Sequence, residues 1–171
     1  MSLMIELLPS AGPALVVGGG TVAERKVRGL VEAGFKVTVV APEVSDAIRG
    51  LRGVSVHQKP FHETDMPGHT LVFACTNDRE TNRRVGAWAH ELRIPAVVAD
   101  SQAESTFFTP AVHRDGDLTV AVSTAGASPV LAREVRDRVA AALGEGWAEH
   151  VTAARKERRS RLAAQAGAGD E

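Results

Sequence analysis

Between Pro13 and Asp100, short apolar runs alternate with longer stretches whose apolar positions recur at helical spacing, a pattern that predicts βαβ units and a parallel sheet. Ala14–Val17 reads as a buried strand ended by three glycines. Val22, Ala23, Val27, Leu30 and Val31 then mark one face of a helix, with Arg25, Lys26 and Arg28 on other faces and Gly34 as its stop. Val37–Val40 is a second strand closed by Ala41-Pro42, followed by a short helix over residues 45–51 and strands at Val54–His57 and Leu71–Ala74. Residues 79–92 predict a helix capped by Asn77 or Asp78. Pro95 punctuates it, and a further strand at 96–99 runs into Asp100.

Beyond Asp100 the pattern changes. Residues 114–117 (Arg-Asp-Gly-Asp) predict a turn into a strand at 118–123, and 124–127 form a small-residue loop. Ser128 and Pro129 then make an N-cap and first-turn pair for a helix reaching Leu143. Gly144 and Gly146 end it, a basic helical segment covers 147–164, and 167–171 reads as a frayed tail. Two domains are expected, residues 1–112 and 113–171, and there is no internal repeat.

Composition narrows the chemistry. The 171 residues carry 20 Lys and Arg against 21 Asp and Glu, a net charge of −1 that disfavours nucleic-acid binding. The lone Cys75 allows neither an intrachain disulfide nor a multi-thiolate metal site, which suits a reducing cytoplasm. With no tyrosine, any mechanism relying on a phenolic proton relay is excluded. No apolar run is long enough to span a membrane, and the N-terminus has no basic signal region; a second methionine, Met4, leaves open whether residues 1–3 are a leader, and they carry no structural weight. Six histidines show no metal-site spacing, and His57, His62 and His69 are expected to be solvent-exposed. The cluster Arg155, Lys156, Arg158, Arg159 and Arg161 reads as a solvated cationic face.

Gly18-Gly19-Gly20-Thr21-Val22-Ala23 fits G-x-G-x-x-A at a strand-to-helix junction, where the motif has mechanical meaning in a Rossmann-like α/β fold. Gly18 allows the sharp turn, Gly20 lets backbone amides approach a pyrophosphate, and Ala23 lets helix and strand pack closely. A glycine turn packing a flavodoxin-like sheet without nucleotide is the alternative. The acid expected to close the second strand is missing, since Val40 is followed by Ala41-Pro42 and the nearest carboxylate is Glu43. No arginine directly follows to take a 2′-phosphate, because Arg49 lies a turn further on, so NAD is favoured over NADP.

The segments VVGGGTVAERKVRGLVEAGFKVTVVAPEV (16–44), FACTNDRETNRRV (73–85) and VVADSQAESTFFTPAVHRDGDLTVAVSTAGASPVLA (97–132) together resemble the precorrin-2 dehydrogenase/sirohydrochlorin ferrochelatase family, the dehydrogenase module of sirohaem synthase. The resemblance covers about residues 14–138. It implies NAD-dependent oxidation of precorrin-2 to sirohydrochlorin, with ferrous iron insertion as a second activity in some members, and a homodimer in which the segment after the sheet serves dimerisation. It further implies that Thr21 and Val22 lie at the pyrophosphate, Pro42 and Glu43 flank the adenosine ribose, Cys75 and Thr76 line the nicotinamide side, and Asp100 is the essential acid. The chain ends sooner than members with a longer helical region or a methyltransferase domain, so uroporphyrinogen methylation is not expected. Thr124 stands where some members carry a modifiable serine.

Position alone makes Asp100 either a general base beyond a strand's carboxyl end or a turn aspartate. A tetrapyrrole rich in carboxylates calls for helix N-termini and cations, for which Ser128, His113, Arg114 and Arg133 are the candidates. Simple capping by Ser128 and a solvated Arg114 are the competing readings. A non-catalytic dinucleotide-sensing module and a tetrapyrrole-binding chaperone remain the alternative functions.

Overall fold

Four-residue apolar runs make the central strands, because a strand covered by helices on both faces needs no polar alternation. The structure, a computed structural model, describes residues 2–167; of the tail expected over 167–171, Gly167 instead ends the last helix, while 168–171 lie outside the described residues, as does Met1. The chain divides into two compact units, Met1–Phe108 and Thr109–Glu171.

In the first unit, β1 (Ala14–Val17), β2 (Val37–Val40), β3 (Val54–His57), β4 (Leu71–Ala74) and β5 (Ala96–Val98) form one parallel sheet in the order β3-β2-β1-β4-β5. Ala14 and Val16 face a core shared with α1 (Thr21–Glu32) and α2 (Asp46–Arg49), built around Val27, Phe35, Ile48 and Phe73. Leu15 and Val17 face the opposite core with Val85 and Ala89 of α3 (Arg79–Glu91). The strand order reverses between β1 and β4, and in open α/β sheets ligands collect beyond the carboxyl ends at such a switch point.

Local signals set the element ends. Asp78 caps α3 by accepting from the amides of Glu80 and Thr81 at 3.2 and 3.3 Å. Gly34 takes a positive φ of +85° just past α1. Strand β5 stops at Val98, one residue short of the expected bound, because Val98 bridges to Ser101 and the chain turns at Ala99-Asp100. Short 3-10 turns at Pro9–Ala11 and Glu63–Asp65 carried no periodic signal. His57 and His62 are exposed as expected, but His69 is half-buried: its Nδ1 lies 3.1 Å from the Met66 carbonyl and its Nε2 3.1 Å from Thr38 Oγ1. The turn after Met66 folds that ring back onto β2.

The second unit opens with a strand where only a turn was expected. β6 (Ala111–Asp115) pairs antiparallel with β7 (Leu118–Val122), Asp115 opposite Leu118, across Gly116-Asp117. Gly116 has φ +57°, as a two-residue hairpin turn requires. Helix α4 (Pro129–Leu143) packs on the hairpin, with the Arg136 guanidinium donating to the Val112 carbonyl at 3.2 Å. Helix α5 (Trp147–Gly167) continues past the expected 164. Asp115 accepts from the Trp147 amide at 2.7 Å, and Arg155 pairs with Asp117 at 2.7 Å, so part of the basic cluster is tied to the hairpin.

Candidate dinucleotide site

A cleft of about 760 Å³ opens at the carboxyl end of the sheet, lined by three loops at 18–22, 41–45 and 75–77. The sheet alone brings these together: β1, β2 and β4 are neighbours in exact register, so the residues that follow them emerge side by side. Gly18, Gly19, Gly20, Thr21, Val22, Pro42, Glu43, Cys75 and Thr76 all line it.

Each glycine has a separate task. Gly18 sits at φ +125°, and a Cβ there would lie 2.3 Å from the Cys75 carbonyl oxygen. A Cβ on Gly19 would come within 2.0 Å of the Glu43 carbonyl oxygen, because this loop is clamped to the one after β2, where the Ser45 amide donates to the Gly19 carbonyl at 3.0 Å. Gly20 differs, since a Cβ there would meet nothing within 4 Å. It is the N-cap of α1 and offers no side-chain cap, leaving the first-turn amides for an anion in the cleft.

These features fit a dinucleotide. Bare helix amides suit the pyrophosphate, and the space beside Gly20 admits it closely. On the cleft wall Ser45 Oγ is buried without a hydrogen-bond partner, a polar atom suited to a ribose hydroxyl. Arg49 donates to the Val44 carbonyl at 3.2 Å and to Gln58 at 2.9 Å, so its guanidinium is committed to the wall.

Cys75 is 7% exposed. Burial pushes its thiol up to about 11, opposed by the charges of Lys26 and Arg25 and reinforced by Asp100. Lys26 is itself lowered, chiefly by burial, and its ammonium stands 5.5 Å over the Phe73 ring. Thr76, the next residue, is held by a group that lies outside the glycine motif. Asn82 of α3, 0% exposed, accepts from the Thr76 amide at 3.0 Å, contacts Thr76 Oγ1 at 2.8 Å and donates to the Thr76 carbonyl at 3.0 Å.

The same Asn82 donates from Nδ2 to Oδ2 of Asp100 at 3.0 Å. Asp100 thus stands beside the cleft rather than in its lining, with its side chain 37% exposed. Its Oδ1 lies 3.8 Å from Arg79, whose guanidinium is gripped by Glu104. Arg79, Asn82 and Glu104 were not singled out from sequence. Asn82 did carry a signal, because it shares the helical register of Val85, Gly86 and Ala89, all buried, so a polar residue occupies an apolar face.

The proposed substrate contacts lie in the second unit. Ser128 caps α4, its Oγ accepting from the Leu131 amide at 3.1 Å while its own amide and carbonyl engage Thr124 Oγ1. Arg114 and Arg133 are exposed, and His113 is half-buried on the strand face shared with Val120. Among the described residues no group of three His, Cys, Asp or Glu side chains could hold a metal ion, and no helix is long and apolar enough to cross a membrane.

A siroheme synthase of Gluconobacter oxydans is 40% identical over 149 residues, covering 83% of this chain and 32% of that protein. One from Methylococcus capsulatus is 42% identical over 132 residues, covering 74% of this chain and 27% of the relative. The chain therefore spans about a third of the length of these relatives. Among solved structures, a protein titled SirC, precorrin-2 dehydrogenase superposes with a TM-score of 0.71 at 28% identity, covering 89% of this chain and 75% of that one. A family model described as "Sirohaem biosynthesis protein central" matches residues 115–142. A second, described as "Putative NAD(P)-binding", matches residues 7–111, more than half of the chain, and to that nicotinamide-dinucleotide-binding family the chain belongs.

Proposed function

We propose that the chain oxidises precorrin-2 to sirohydrochlorin with NAD, in the cytoplasm and as a homodimer. The observation that carries this reading is the junction of a dinucleotide-sized cleft with a half-exposed carboxylate, Asp100, through one buried side chain. The siroheme synthase relatives and the SirC likeness support the tetrapyrrole as substrate.

When bound, the nicotinamide ring supplies an acceptor for a hydride. The chain's residues do the rest. The Gly20 turn and the first amides of α1 bind the pyrophosphate, Pro42, Glu43 and Ser45 hold the adenosine ribose, and Cys75 and Thr76 line the nicotinamide side. Asp100 would accept the proton that the macrocycle loses in its oxidation to sirohydrochlorin. Arg114, Arg133, His113 and the N-terminus of α4 behind Ser128 meet the substrate carboxylates. NAD is favoured over NADP because Glu43 brings negative charge to the ribose side while Arg49 is tied to Val44 and Gln58. The exposed Val130, Leu131 and Val135 of α4 support a dimer.

The test is incubation with enzymatically made precorrin-2 and NAD, following sirohydrochlorin by absorbance. Turnover is expected, and Asp100→Ala should lower kcat by about 10²- to 10⁴-fold, the usual worth of a positioned base. NAD binding without turnover in either protein would leave a dinucleotide-sensing module instead. Ferrous iron added to sirohydrochlorin in the same assay tests iron as a further substrate.

A further inference from the structure

Among the described residues Asn82 is the one buried polar side chain of the core, and every hydrogen-bonding position of its amide is used. Two acceptor positions on Oδ1 face Thr76, one donor proton goes to the Thr76 carbonyl, and the other goes to Asp100 Oδ2. If the core needed only volume here, a leucine on α3 would serve. An amide is required because the two loops present a donor pair and an acceptor pair that no hydrocarbon can satisfy.

We propose that Asn82 is a positioning residue for Asp100: it commits Oδ2, leaves Oδ1 to take the proton, and joins that carboxylate to the Thr76 loop as one rigid piece. This rests on the reading above, in which Asp100 is the base. The competing pull is Arg79, 3.8 Å from Oδ1 and 49% exposed in its side chain. Arg79 is held back by Glu104, and an exposed ion pair is worth little, whereas a buried amide donating to a carboxylate is the stronger constraint. The charged and titratable groups around Asp100 are therefore Arg79 and Glu104 on one side and Cys75, with Lys26 and Arg25 behind it, on the other.

Asn82→Asp keeps an oxygen that accepts from the Thr76 amide and hydroxyl but turns the donor to both the Thr76 carbonyl and Asp100 into an acceptor. Two adjacent carboxylates share a proton, so the pH dependence of kcat reads the link to Asp100, while NAD affinity measured beside it reads the link to Thr76. The expected result is a kcat lower by about 10- to 100-fold at neutral pH, KM for precorrin-2 within about two-fold, and an acid limb of the pH–kcat profile moved upward by about one unit or more. A parallel Asp100→Ala protein tells the two readings apart. If Asp100→Ala keeps full activity, the assignment of the base fails; if it is inactive while Asn82→Asp has the wild-type pH profile, the positioning role is overturned.

A second measurement needs neither turnover nor a folded Asn82 variant. In the cofactor-free protein, one Asn82 side-chain amide proton should exchange slowly and change its NMR shift on Asp100→Asn. An unchanged resonance would overturn the inference.

Discussion

Gly19 and Gly20 are adjacent, yet their substitution should have opposite consequences. Gly19→Ala forces a methyl to within 2.0 Å of a backbone oxygen at Glu43, so the loops must part. A loss of about 1–3 kcal/mol in denaturant unfolding is expected, the range typical of overpacking. Gly20→Ala has open space and a backbone of φ −91°, so stability should hold within about 0.5 kcal/mol while NAD affinity, read by titration calorimetry, falls at least ten-fold. Cys75 gives a pH prediction. The folded thiol keeps its proton to about 11, against an ordinary 9.0, so the unfolded chain releases its proton first as pH rises. The stabilisation is complete below about pH 9 and is lost between 9 and 11, up to about 3 kcal/mol. Urea midpoints measured across that window should fall for wild type and fall less for Cys75→Ala. Thiol labelling of the native protein near neutral pH should be slow for the same reason.

At the scale of elements, caps and registers place the side chains. Ser128 is committed to α4, so Ser128→Ala should cost about 1 kcal/mol by thermal or denaturant melting, with Ser128→Asp retaining the cap. Because Pro129 has no N–H, Leu131 donates to Ser128 Oγ and Ala132 to the Ser128 carbonyl, the cap leaves one first-turn amide of α4, that of Val130, for a carboxylate, so both roles considered for Ser128 are compatible. The five parallel strands were legible in sequence because runs such as Ala14–Val17 are entirely apolar. β6 was not, because Ala-Val-His-Arg-Asp mixes charged and apolar residues without alternation, and none of its positions is more than half-buried. His69 escaped for a related reason: a polar ring in a loop acquires its burial from the Met66 carbonyl of its own turn and from Thr38, 31 residues away in sequence.

For the whole molecule, the cleft belongs to Met1–Phe108, whereas the candidate carboxylate receivers belong to Thr109–Glu171. Cofactor binding should therefore act first on one unit. Hydrogen exchange with saturating NAD should show protection concentrated at residues 18–24, 41–45 and 75–77, and at about 100 times Kd the first unit should gain roughly 2.7 kcal/mol. Protection spread evenly over the second unit's hairpin would contradict that placement.

The sequence by itself determined the glycine turn and the strand runs of the parallel sheet, because these depend on local spacing and backbone freedom; position left Asp100 as a base or a turn aspartate, and only the family resemblance pointed to it as the acid. The sequence located Gly18, Gly20, Cys75 and Asp100 without showing what holds them together. Only tertiary structure decided that Gly19 is a packing contact, that Ser45 presents an orphaned hydroxyl, and that Asn82 bonds both Thr76 and Asp100. The reason is geometric: hydrogen bonds between α3 and the ends of β4 and β5 exist only once the sheet has set those ends side by side.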